Sequence, residues 1–115
     1  DERLNNPTMT NFEAISARLY PYNVDDNLIA VACEDAGLDA EVKYRSQTDK
    51  ISVTKAAIDI LEQLIVLSSE SNGGYGLGYD VNKLRERIYT LATNNGLTDI
   101  ADKFDDAPTI EFLPY

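Results

Sequence analysis

What most constrains this chain is its punctuation. Pro21, Gly37, a glycine cluster from Gly73 to Gly78, and Gly96 divide it into segments. Each long segment repeats apolar residues three and four positions apart, the spacing of one helix face. Inside the glycine cluster, large side chains alternate with glycine. The pattern specifies an all-α bundle of four main helices plus a short fifth, with an extended Gly-rich loop and an extended C-terminal tail.

The first helix is expected at 11–20. Thr10-Asn11-Phe12-Glu13 fits a capping box, Phe12, Ile15 and Leu19 share a face, and Pro21 stops it. Asn23 or Asp25 opens the second, with Val24, Leu28, Val31 and Ala32 as its stripe and Gly37 as a left-handed end. Asp25 and Asp26 complement the dipole of its first turn. Residues 38–48 fit either a loop or a short extra turn. The third helix is expected at about 49–68. Thr54, Ile58, Leu61 and Ile65 form its stripe, widened by Ala57, Leu64 and Ser68. Ala56, Ile60 and Leu67 add a second apolar side, which predicts the most buried, central helix.

Asp80 caps the fourth helix, whose inner face is Val81, Leu84, Ile88 and Leu91, and Gly96 ends it. Thr98 is the expected cap of the fifth, with Ile100, Ala101 and Phe104 inward. Met9 fits a native start, making residues 1–8 an N-terminal extension, 9–105 the helical domain and 106–115 the tail. A chain of 115 residues suits one domain.

Charge and composition exclude several functions. Twenty acids face ten bases, a net charge of −10, with no His and a single Cys. Nucleic-acid binding needs clustered cations, and anionic membranes repel such a chain. Without His there is no Ser-His-Asp or Cys-His machinery and no imidazole ligand. Cys33 alone makes neither an internal disulfide nor a multi-Cys zinc site, and reads as a small buried residue. The longest apolar run, Leu64 to Leu67, is far too short to span a bilayer. No catalysis, cofactor or metal is expected. The acidic pairs Asp25-Asp26, Glu34-Asp35 and Asp105-Asp106 lack the calcium-loop pattern and read as a solvated face, with weak calcium binding as the alternative. Six acids and no base fall between Tyr22 and Glu41.

Contact surfaces are better signalled. Four of the six glycines, Gly73, Gly74, Gly76 and Gly78, lie in one passage where Tyr75, Leu77 and Tyr79 alternate with them. Extended backbone would put those three side chains on one side. The passage lacks both the strand that precedes a dinucleotide fingerprint and the Gly-Lys of a Walker loop. Docking on a partner is preferred to a plain connector. Lys83, Arg85 and Arg87 form the densest basic patch, either an exposed helix face or a contact for an acidic neighbour. In a homo-oligomer, the acidic region around 25–41 could be that neighbour. Of the seven tyrosines, Tyr20 and Tyr89 are expected in the core. Ile110, Phe112, Leu113 and Tyr115 make the tail too apolar for free solvent; it packs on its own helices or reaches a neighbour.

The chain resembles the small helical head–tail connector (adaptor) proteins of tailed bacteriophages and prophages, especially the Bacteroides type. The resemblance covers roughly 9–105. It rests on Thr10-Asn11-Phe12-Glu13-Ala14-Ile15, on Asp26-Asn27-Leu28 through Glu34-Asp35-Ala36-Gly37-Leu38, and on the more distinctive Ser69-Glu70-Ser71-Asn72-Gly73-Gly74-Tyr75. It implies a virion protein, made in the bacterial host cytoplasm, whose copies form a ring, usually of twelve, between the portal protein and tail or stopper proteins. DNA would pass through without specific binding. The competing expectation is a non-enzymatic bacterial adaptor or regulator. A carboxylate hydrolase or calcium-dependent enzyme ranks third.

Overall fold

The computed structural model describes residues 9–69 and 79–105. It contains five helices in the expected order: α1 Asn11–Leu19, α2 Asp26–Asp35, α3 Ser46–Ser69, α4 Val81–Asn94 and α5 Thr98–Lys103. No strand occurs among the described residues. A single antiparallel bridge pairs Thr10 with Lys43. The protein is all-α. It groups into two compact units, Asp1–Leu61 and Glu62–Tyr115, and the dividing point falls inside α3.

In the first unit, α1 opens with the expected capping box. The Glu13 N–H donates to Thr10 Oγ1 at 3.1 Å, and the Thr10 N–H donates to Glu13 Oε1 at 2.9 Å. Two further first-turn donors find loop carbonyls. The Asn11 N–H bonds the Val42 carbonyl at 2.9 Å, and the Phe12 N–H bonds that of Ala40 at 3.1 Å. Residues 38–45 are therefore a loop hung on the start of α1, rather than an extra turn. Helix starts leave donors without intrahelical partners, and this loop supplies acceptors for two of them.

α1 ends at Leu19, ahead of a cis Tyr20–Pro21 peptide. α1 packs against α2. Ala14, Ile15 and Leu19 of α1, and Ile29, Ala32 and Cys33 of α2, are all buried. The expected α2 stripe is rotated. Leu28 is half-buried and Val31 is 58% exposed. At about 100° per residue, Ile29 and Cys33 occupy the centre of the inner face, leaving Val31 outside it.

α2 ends in a Schellman motif. The Leu38 N–H donates to the Cys33 carbonyl at 3.0 Å and the Gly37 N–H to that of Glu34 at 2.9 Å, with Gly37 at φ +80°. α3 starts at Ser46, three residues before the expected 49. Asp49 lies in its first turn, its Oδ2 accepting from the Arg45 N–H at 3.0 Å. Along α3, Val53, Thr54, Ala56, Ala57, Ile58, Ile60, Leu61 and Leu64 are buried. This matches the two-sided apolar pattern, except that Leu67 is 38% exposed.

In the second unit, Asp80 caps α4. Its Oδ1 accepts from the N–H groups of Asn82 at 2.9 Å and Lys83 at 3.3 Å. Leu84, Ile88 and Ala92 are buried, while Val81 and Leu91 are half-buried. α4 packs against α5. A second Schellman motif joins them. The Leu97 N–H bonds the Ala92 carbonyl at 2.9 Å and the Gly96 N–H that of Thr93 at 3.3 Å, with Gly96 at φ +71°.

Thr98 is not the cap of α5. It is the first helical residue, Leu97 holds the cap position, and no side chain caps that end. The turn explains this: Leu97 is already committed to closing α4. Of the three residues expected inward on α5, Ala101 is buried, and Ile100 and Phe104 are half-buried.

Candidate interaction surface

The acidic stretch of the first unit becomes surface. Asp25, Asp26, Glu34, Asp35, Asp39 and Glu41 are all exposed. Some serve the backbone: Asp25 caps α2 by accepting from the Asn27 N–H at 3.1 Å, and Asp39 accepts from the Glu41 N–H at 3.0 Å. Beside the end of α2 lies a groove of about 580 Å³. Ala30, Leu38 and Ala40 line it, together with the carboxylates of Glu34, Asp39 and Glu41. A smaller depression of about 350 Å³ is lined by small residues of α2 and α3 together with Asp35, Lys55 and Asp59.

The same acids act on Cys33. Its thiol is buried and unpaired. Burial pushes its pKa above the ordinary 9.0, and the negative charges of Asp39 and Glu34 add to that. The thiol stays neutral and is a poor nucleophile, since thiolate is the reactive form. Among the described residues, no three of Cys, Asp and Glu converge as metal ligands would. No helix among them is long and apolar enough to cross a membrane.

The basic run of α4 divides. Lys83 and Arg87 are four residues apart and share a face. Arg85 lies on another side, half-buried, with its guanidinium carbon 5.0 Å from the centroid of the Phe104 ring. That is within cation–π range. Arg85 therefore helps tie α4 to α5, while on the other face Lys83 is exposed and Arg87 half-buried. Tyr79 is half-buried just ahead of α4. The remaining contact residues expected from sequence, Gly73, Gly74, Tyr75, Gly76, Leu77 and Gly78 of the loop and Ile110, Phe112, Leu113 and Tyr115 of the tail, lie outside the described residues.

Two tyrosines reverse their expected placement. Tyr20 is 73% exposed and Tyr89 37% exposed. Tyr20 falls after the last turn of α1, where no helix face carries it inward. Tyr89 follows Ile88 and points a third of a turn away from the buried Leu84–Ile88–Ala92 line. Val31 and Val66, at 58% and 54% exposed, join them as apolar surface that pattern reading had placed inside or passed over. Fitting each stripe to its centre, rather than to every apolar position, would have flagged Val31.

Residues 9–112 match a family model described as a family of unknown function, DUF6706. No curated protein and no solved structure gives a match.

Proposed function

This chain belongs to the DUF6706 family, and we propose that it is a non-catalytic structural subunit acting by self-assembly, the head–tail connector of a tailed phage or prophage. The observation that carries the reading is the exposure of all six acids, and the lack of any base, in the stretch from Asp25 to Glu41. Facing a channel, such a surface repels a polyanion and lets DNA slide without adhering. Facing a neighbouring copy, it complements the α4 face on which Lys83 is exposed and Arg87 half-buried. A surface used head to tail in this way closes into a ring when the rotation permits. The partners in this reading are the portal protein on one side and tail or stopper proteins on the other.

The groove lined by Ala30, Leu38 and Ala40 together with Glu34, Asp39 and Glu41 favours a second reading. It suits a basic amphipathic segment of a single protein partner, as an adaptor or regulator would use.

The DNA flanking the gene tests the first reading directly. Portal and capsid genes on one side and tail genes on the other support the connector. Regulatory or metabolic neighbours favour the adaptor. Native mass spectrometry of the purified chain, alone and with the adjacent portal protein, supplies the second arm. Closed multimers weakened by Arg87→Glu agree with the connector reading. A one-to-one complex, or multimers indifferent to charge reversal at both Lys83 and Arg87, would remove the proposed contact.

A further inference from the structure

The corner between α4 and α5 places an Asn-Gly pair, Asn95-Gly96, inside the Schellman motif. In flexible chain this dipeptide is chemically labile. The Gly nitrogen attacks the Asn side-chain carbonyl carbon, the C–N bond to the side-chain amide breaks, and the side-chain nitrogen takes up the displaced N–H proton and leaves as ammonia, giving a five-membered succinimide. Water then opens the ring to Asp or isoaspartate. One water is consumed, one ammonia is released, and no other reactant is needed.

The fold blocks each part of that reaction. Closing the ring requires the Gly96 nitrogen to swing into line with the Asn95 Cβ, and the backbone ψ of 14° at Asn95 holds it well away. The Gly96 N–H is occupied by the Thr93 carbonyl at 3.3 Å. The Asn95 side chain is pinned as well, its Nδ2 donating to the Leu91 carbonyl at 2.7 Å. Its Oδ1 is buried without a hydrogen-bond partner. A carboxylate here loses the donor that holds Leu91. It also buries negative charge against a carbonyl at the negative end of the helix dipole. Isoaspartate adds a backbone atom to a motif whose hydrogen bonds depend on register.

We propose that Asn95 is a conformationally gated deamidation site. The closed corner withholds the reaction, local opening of the α4 end permits it, and the acidic product disfavours reclosure. The corner is thus a one-way chemical record of opening.

The test is peptide mass spectrometry of the full chain held at mildly alkaline pH, with and without denaturing urea. In urea, Asn95 and the second Asn-Gly pair, Asn72-Gly73, should convert at comparable rates, which calibrates the chemistry. Without urea, Asn95 should convert more slowly by at least a factor of about ten, the protection given by a local opening free energy above about 1.4 kcal/mol. Leu97→Ala, which trims the apolar residue closing the motif, should speed conversion several-fold in buffer. If that variant does not fold, wild type in urea below its unfolding midpoint should show the same acceleration. Asn95→Asp should unfold at lower urea than wild type. Equal rates with and without urea would overturn the gating, and an unchanged midpoint for Asn95→Asp would overturn the one-way character.

Discussion

Asn11 and Asp39, 28 positions apart, are joined side chain to backbone: the Asn11 Nδ2 donates to the Asp39 carbonyl at 3.0 Å. The first residue of α1 thereby holds the loop that follows α2, while its backbone N–H holds Val42 in the same loop. Asn11 is 2% exposed, so its amide has no ready replacement in water. Asn11→Ala should cost about 1–2 kcal/mol in urea denaturation, the range for a buried hydrogen bond with its acceptor left behind. Asn11→Asp should cost more, because it sets an acceptor against the Asp39 carbonyl. A variant pair with wild-type midpoints would show that the loop is held by its other bonds.

Arg18 anchors the same loop from the far end of α1. It donates to the Ala14 carbonyl at 3.0 Å and to the Tyr44 hydroxyl at 3.1 Å. Its guanidinium carbon sits 5.4 Å from the Tyr44 ring centroid. A double-mutant cycle of Arg18→Met and Tyr44→Phe should return a coupling of about 0.5–1 kcal/mol. Additive losses would mean that the two side chains act separately.

Gly37 and Gly96 both have positive φ, and a Cβ at either would meet nothing within 4 Å. The cost of Gly→Ala is then purely conformational, about 1–2 kcal/mol at each site. Asn tolerates the left-handed region better than Ala, so Gly37→Asn should lose less than Gly37→Ala. The reverse order in thermal denaturation would point to crowding the structure does not show.

Asp80 and Thr98 separate true from apparent caps. Asp80→Ala should cost about 1 kcal/mol. Thr98→Ala should stay within about 0.5 kcal/mol of wild type, because Thr98 makes no cap hydrogen bond. Equal losses would contradict the cap assignment at α5.

Cys33 makes stability pH-dependent in one direction. Its folded pKa is raised above the ordinary 9.0, so between the two values the unfolded chain releases a proton that the folded chain keeps. The contribution is fully present below 9.0 and is lost as pH rises through the folded value. Wild type should therefore lose stability above pH 9.0 more steeply than Cys33→Ala. Parallel pH profiles would show that Cys33 does not contribute.

Much of the fold was legible because its signals are local. The Thr10–Glu13 box, the Asp80 cap and the glycines at 37 and 96 act over three to five residues, so spacing alone locates them. The two-sided burial of α3 was legible for the same reason, since apolar residues recur on two faces. The candidate surface was legible only in part. Its acids could be counted from sequence, and helix spacing sets Arg85 apart from Lys83 and Arg87, but the stacking of Arg85 on Phe104 depends on how α5 packs. The exposure of Tyr20 and Tyr89 depends on which neighbours cover which face.

By itself, the sequence determined the all-α class, the order of the five helices, most of their ends and the acidic character of the surface. These follow from backbone conformational preference, capping chemistry and charge, which need no distant residue. Only the tertiary structure decided that residues 38–45 serve as acceptors for the start of α1, that Thr98 yields the cap position to Leu97, and that Asn95 is locked at its corner. Each of those outcomes is a competition for hydrogen-bond partners, between segments for the 38–45 loop and within the α4–α5 corner for Leu97 and Asn95, and the winner is set by what the folded backbone brings within bonding distance.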